Sequence, residues 1–345
     1  MTTSMARERQ LSACLTCSLI ITGTLSALHC APSNTSIPSA TPVTVTAPAP
    51  SGGEAPALVP TVPAPAPAAA SPAAPDDARG GRLFDNWRAE RGASQSFTPD
   101  SSKTPGPDGN GGPNGNGTLN DGHGRPLLNT GHDYRLKNLF GWDLRGSEGV
   151  YGPAYQNKAY VLGRNLLVDG RSPEDVRRWL AEGDEHTPAY GQVLDEQDLA
   201  DLTAFVVKTR DAALARPDHV YRLESQAPKN YTLLAGADPA GGKQRFAQTC
   251  SECHGDDGRE FAIDGTESVG TLARSSAYEI WFKIQHGHPG SPMKRQVSEP
   301  SGAENGRAVL DILAALCDRS AFPALAGNTS ADVSDGDPRC GTYLK

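Results

Sequence analysis

Methionine is nearly absent from this 345-residue chain: Met1, Met5 and Met293 are the only three. A surplus of basic residues is missing as well, since 32 Lys and Arg face 40 Asp and Glu, for a formal net charge of −8. That balance argues against binding nucleic acid or an anionic lipid surface, and it fits contact with other proteins through complementary patches. Beyond the N-terminal region no stretch is apolar enough to span a bilayer. The Gly/Asn/Pro-rich stretch from about Lys103 to Pro126 lacks the D-x-[DN]-x-[DN]-G spacing of a calcium loop, so it is expected to be irregular. No nucleophile–base pair and no paired carboxylates stand out. The scattered Asp and Glu read as solvated surface and helix caps.

Cysteine is sparse, with seven in the chain, and their positions divide it. Arg7 and Arg9 precede a mostly apolar run, Leu11 to Leu28, so residues 1–30 read as an export or lipoprotein signal that contains Cys14 and Cys17. A retained transmembrane helix is the alternative. Cys30 closes the run and would be the acylation point of a lipid anchor, although His29 before it is unusual there; simple secretion is the other possibility. Leu11-Ser12-Ala13-Cys14 resembles a lipoprotein box better, but no hydrophobic segment precedes it. Either way the protein is expected to be exported, as a periplasmic protein or a membrane-anchored lipoprotein. Residues 31–79 are dominated by Pro, Ala, Ser, Thr and Val, which cannot bury enough apolar surface to offset ordering entropy. They are expected to form a disordered, extended tether with a reach on the order of 100 Å.

Four cysteines remain. Cys317 and Cys340 are expected to pair in an oxidising compartment and to fasten the tail, 321–345, to the last helix. Cys250 and Cys253 belong to Cys250-Ser251-Glu252-Cys253-His254-Gly255, a C-x-x-C-H sequence. Two thiols at this spacing reach the two vinyl groups on one edge of a haem, and the following His is held under the iron. One covalent haem c is therefore expected, with Cys250, Cys253 and His254 as its binding residues and His254 as a metal ligand. The competing readings are a C-x-x-C redox pair or half of a zinc site. The second ligand pair that zinc needs is absent.

The surroundings of this motif follow a recognisable order. Asp238 and Pro239 open a helix carrying Gly242 and Phe246, which runs into Cys250. Ser276 and Glu279 suggest a capping box before Ala277, Ile280, Trp281 and Ile284, an amphipathic pattern ended by Gly287. A loop with Met293 follows, and then a closing helix with Val309, Ile312, Leu313 and Leu316 on one face. The stretch from Asp238 to Arg319 resembles class I cytochromes c. The resemblance implies that the first and last helices cross and that Met293 is the distal iron ligand. In the family a Pro commonly follows this Met, whereas here Pro292 precedes it. Met293 is also the one methionine outside the N-terminal signal, and it lies between Pro292 and Lys294, an unusual place for a core methionine. His286 and His288 are the rival ligands.

An earlier segment repeats the layout without the chemistry. Ser172, Pro173, Glu174 and Asp175 open a helix with Val176, Trp179 and Leu180 on its apolar face, and Gly183 stops it. Asp195 caps a further helix through about Lys208, with Leu199, Leu202, Phe205 and Val206 inward. Upstream, Gly81-Arg82-Leu83-Phe84 repeats the pattern of Gly242 and Phe246. The segment Tyr134 to Asp143 resembles the first attachment site of multi-haem cytochromes. On that alignment Leu136 and Leu139 replace the cysteines and Phe140 the proximal His; separately, Thr187-Pro188-Ala189-Tyr190-Gly191 resembles the Met-bearing loop of cytochromes c, with Thr187 where the Met would be. An empty haem pocket would cost about 24 cal/mol per Å³ of cavity, so apolar side chains are expected to fill it. The competing reading is an unrelated helical domain.

The expected architecture is all-α: two cytochrome c-like helical modules after the tether, 80–216 without haem and 235–320 with it. The expected activity is single-electron transfer in the cell envelope with redox partner proteins, rather than catalysis, because both axial positions would be filled. A haem-bearing subunit or domain of an envelope oxidoreductase, and a docking subunit of a larger redox complex, are the alternatives.

Overall fold

Start and stop residues set most of the helices. The computed structural model describes residues 73–92, 119, 132–156 and 160–345, all within one contact unit, Ala68–Lys345. The N-terminal signal, Cys30, most of the tether and nearly all of the Gly/Asn/Pro-rich stretch lie outside the described residues. The described chain is mostly helical: α1 (Asp77–Glu90), α2 (Leu136–Phe140), α3 (Pro173–Glu182), α4 (Glu196–Arg210), α5 (Pro239–Thr249), α6 (Ser251–His254), α7 (Val269–Ser275), α8 (Ala277–His286) and α9 (Gly302–Leu316). Two short strands, β1 (Tyr221–Leu223) and β2 (Tyr231–Leu233), pair antiparallel with Tyr221 opposite Leu233. No helix among the described residues is long and apolar enough to cross a membrane.

The Ser172, Asp195 and Asp238 side chains accept from the backbone amides of Asp175, Asp198 and Gly241, satisfying donors that a helix start leaves unpaired. The Ser276 box does not form. Ser276 is both the last cap of α7 and the first of α8, and its hydroxyl accepts from Lys229 at 2.6 Å instead. The box appears one helix earlier, between Ser268 and Thr271.

Two helix crossings repeat each other. α1 packs on α4, and α5 packs on α9. The Asp76 amide donates to Asp201 Oδ1 at 2.8 Å, and the Asp238 amide donates to Asp311 Oδ1 at 2.7 Å. Four residues beyond each cap, Gly80 and Gly242 lie so close to the carbonyl oxygens of Asp201 and Asp311 that a Cβ would overlap them. Four residues further on, Phe84 and Phe246 are buried. The sequence pattern pairs Gly81 with Gly242, but Gly80 makes the contact. Gly81 faces the His286 ring.

The helices that follow also correspond. α3 ends at Gly183 (φ +69°, ψ −172°) and α8 at Gly287 (φ +86°, ψ −170°). The next amides, of Asp184 and His288, donate to the carbonyls of Thr187 and Met293, each at 3.1 Å.

The two halves share one core. Phe84, Phe205 and Phe282 pack together, linking α1, α4 and α8. Asp85 of α1 pairs with Lys283 of α8, and Asp77 pairs with Arg295. Burial opposes the charge on Asp85, yet Lys283 and Arg135 outweigh it and hold the carboxyl far below the usual carboxylate range. At the C-terminus, Cys317 at the end of α9 is bonded to Cys340, with Cα atoms 6.0 Å apart. The tail also docks on the hairpin: Tyr343 Oη donates to the Leu234 carbonyl and accepts from the Ala237 amide, at 3.0 and 2.8 Å.

Candidate haem-attachment site

α5 delivers the chain directly to the C-x-x-C-H turn. Cys250 stands at the junction of α5 and α6, and its carbonyl accepts from the amides of Cys253 (3.2 Å) and His254 (3.0 Å). Residues three apart on a helical turn share a face, so both sulfurs arise on one side with His254 immediately after them. Gly255 ends the turn at φ +75°, a conformation that costs glycine nothing. Cys250 is half-buried, Cys253 is exposed, and both are free thiols. Burial pushes the Cys250 thiol up, partly offset by the Thr249 hydroxyl 3.4 Å from its sulfur.

His254 is half-buried, and burial lowers its pKa, favouring the neutral ring that binds metals. Its Nδ1 is buried with no hydrogen-bond partner, which is rare for a polar atom in a folded protein. The Phe261 ring lies 4.8 Å from the imidazole, centroid to centroid, and is 48% exposed. Phe261 is a site residue that sequence reasoning missed. The available clue was a short apolar run, Phe261-Ala262-Ile263, flanked by charged residues and outside any amphipathic pattern.

Met293 arrives from a different element. It is half-buried on the loop after α8, its amide donates to Ser291 Oγ at 3.2 Å, and its carbonyl accepts from His288. The structure thus brings Cys250, Cys253 and His254 together; no hydrogen bond or ring contact ties Met293 to His254. The rival ligands are held elsewhere. The His286 ring is fully buried against Phe205 (5.0 Å) and Phe282 (4.8 Å), with Gly81 beside it. His288 Nδ1 lies 3.1 Å from the Pro289 carbonyl oxygen.

At the earlier site, Leu136, Leu139 and Phe140 are at most 1% exposed. Gly141 closes their turn at φ +74°, ψ 155°, nearly the geometry of Gly255 at φ +75°, ψ 163°. Phe140 packs edge-on against Trp179 at 5.7 Å, and Arg171 covers the same indole at 4.0 Å. Thr187 Oγ1 is buried without a partner, while His186 is exposed on the surface.

Among the described residues no three His, Cys, Asp or Glu side chains converge as a metal-ligand group. The donor set near His254 nevertheless suits a covalent haem. It offers two unpaired thiols on one face, a neutral imidazole with a buried atom lacking a partner, and an exposed aromatic ring for a macrocycle to cover. No family model matches the sequence, and no solved structure matches the fold.

Proposed function

We propose that this protein is a single-haem c-type cytochrome that transfers electrons in the bacterial cell envelope. Cys250 and Cys253 would hold the porphyrin by thioethers, His254 would be the proximal ligand and Met293 the distal one. Bound there, haem supplies a one-electron couple, and its potential is set by axial ligands, burial and hydrogen bonding. The carrying observation is the pairing of free thiols with His254 on one turn, beside the exposed ring of Phe261.

The chain's own residues do the rest. The α5–α9 crossing at Gly242 fixes the direction in which α5 feeds the motif. Gly287 turns the chain out of α8 and starts the loop that presents Met293. The same crossing, turn and loop recur at Gly80, Gly141, Gly183 and Thr187, and this repetition supports the reading of the first half as a cytochrome c-like module without haem. There Leu136, Leu139, Phe140 and Trp179 occupy the interior with apolar volume.

Pyridine haemochrome analysis of the purified protein tests both readings. One alkali-stable haem per chain is the expected result. Two per chain would overturn the assignment of the first half, and none would overturn the function.

A further inference from the structure

Three cations, two of them buried, crowd one buried carboxylate where α1 packs on α2 and α8. Asp85 is 0% exposed and already has two partners, Lys283 of α8 and Arg135, the latter at 3.0 Å. The third cation, Lys137 of α2, is 6% exposed and has no carboxylate partner among the described residues. Its Nζ lies 3.8 Å from the centroid of the Trp142 ring, and Lys283 Nζ approaches the same ring at 5.4 Å. Trp142 in turn packs edge-on against Phe282 of α8 at 5.1 Å.

Among the described residues, the charged groups that act most on Lys137 lie on α1, on α8 and just before α2. Asp85 on α1 and Glu279 on α8 favour its charge, whereas Arg135 before α2 and Lys283 on α8 oppose it. Burial is the largest influence and also opposes the charge, so the amine is pushed down to about 7. The aromatic face offsets part of that cost, but it is shared with a second ammonium.

We infer that Lys137 is a proton-operated latch on the seam between α1 and α8. Charged, it adds a third cation around Asp85 and a second around Trp142, and it loosens the seam. Neutral, it leaves the Lys283–Asp85 pair uncontested, and the seam closes. The inference stands apart from the haem reading, although α8 leads through Gly287 to the loop of Met293. The sign of the linkage follows from the downward shift. An unfolded lysine keeps its proton up to about pH 10, so between about pH 7 and about pH 10 the unfolded chain binds the extra proton and stability rises with pH.

The test is lysine 13Cε NMR on the full-length purified protein from about pH 5 to about pH 10, with amide hydrogen exchange measured in α8. One lysine resonance should titrate near neutrality and be absent from Lys137→Met. Protection of α8 amides, corrected for intrinsic exchange, should rise through the same midpoint in the wild type and stay level in Lys137→Met. Lys137→Gln, which keeps a polar chain, should behave as the Met variant does. The inference is overturned if every lysine titrates near its ordinary value. It is equally overturned if Lys137 titrates near neutrality while α8 protection is unchanged.

Discussion

The Phe261 ring, itself exposed, lies against the His254 imidazole at 4.8 Å, tilted by 35°. On the haem reading that ring shields one side of the iron ligand from water, and solvent exposure is one of the factors that set a haem potential. Phe261→Ala should leave thioether attachment intact and lower the midpoint potential. Haemochrome yield and a redox titration check the two halves of this expectation. An unchanged potential would remove Phe261 from the site.

The two sulfurs should be separable from the fold. In Cys250→Ala/Cys253→Ala the α5–α9 crossing is untouched, because it depends on Asp238, Gly242 and Asp311. The denatured, acid-acetone-washed variant should carry no Soret-absorbing adduct, whereas the wild type should. If the variant retains covalent haem, the attachment assignment fails.

Met293→Ala should abolish the weak far-red band of sulfur-ligated ferric haem. It should also lower the potential by on the order of a tenth or more of the roughly 0.8 V that axial ligands span. His288→Ala should leave the band in place. A wild type without the band, and a low-spin ferric spectrum lost in His288→Ala but kept in Met293→Ala, would reverse the assignment.

Much of this architecture is legible in the sequence because the cues are local. Pro173 and Pro239 sit at first helical positions, and Gly183, Gly255 and Gly287 sit just past helix ends. Each can be read within a few residues. The C-x-x-C-H turn is local in the same sense. Cys317 and Cys340 could be paired because so few thiols remained. Other features depend on distant partners. Ser276 gives up its box because Lys229 takes its hydroxyl, and Gly80 rather than Gly81 meets α4 because helix rotation is set by the crossing. β1 and β2 are three residues each, too short for an alternating pattern to declare itself. The Asp85–Lys283 pair joins residues 198 apart in sequence, which no local pattern reports.

The close crossings give a stability prediction. At Gly242 and Gly80 an added methyl would meet a backbone carbonyl, which cannot swing away as a side chain can. Gly242→Ala and Gly80→Ala should each destabilise by about 1–3 kcal/mol or more through overpacking. Gly265→Ala probes a positive φ without a close neighbour, so it reports the conformational contribution alone. Urea denaturation of the three variants tests whether close approach, rather than backbone conformation, dominates at the crossings.

The disulfide offers a test that does not involve haem. Cys317 and Cys340 are 23 residues apart, and closing a loop of this size restricts the unfolded chain by about 3 kcal/mol in the entropy model. Cys317→Ser/Cys340→Ser should lose roughly that much. The tail retains other fastenings, including Tyr343 on the hairpin and the ion pair of Arg274 with Asp332 at 2.6 Å, so it should stay docked. Chemical denaturation measures the loss, and limited proteolysis reports docking. A tail cut rapidly in the variant would mean that the covalent bond, rather than these contacts, positions it.

His286 supplies the pH prediction. Burial, followed by the Arg295 charge, pushes this imidazole down to about 3, and neither ring nitrogen has a partner. In the unfolded chain the ring has its ordinary value of about 6.5. Between about pH 6.5 and about pH 3 the unfolded state therefore binds more protons, and folding stability falls as pH falls, by up to about 1.4 kcal/mol per unit. His286→Leu cannot take up that proton, so its acid limb should be flatter by this amount, as read from urea midpoints across the window. The same variant should keep the far-red band, because the wild-type ring is enclosed by Phe205, Phe282 and Gly81. A wild type without the band, and a low-spin ferric spectrum lost in His286→Leu, would make His286 an iron ligand after all; a retained band with an unchanged limb would mean that the ring reaches water in solution.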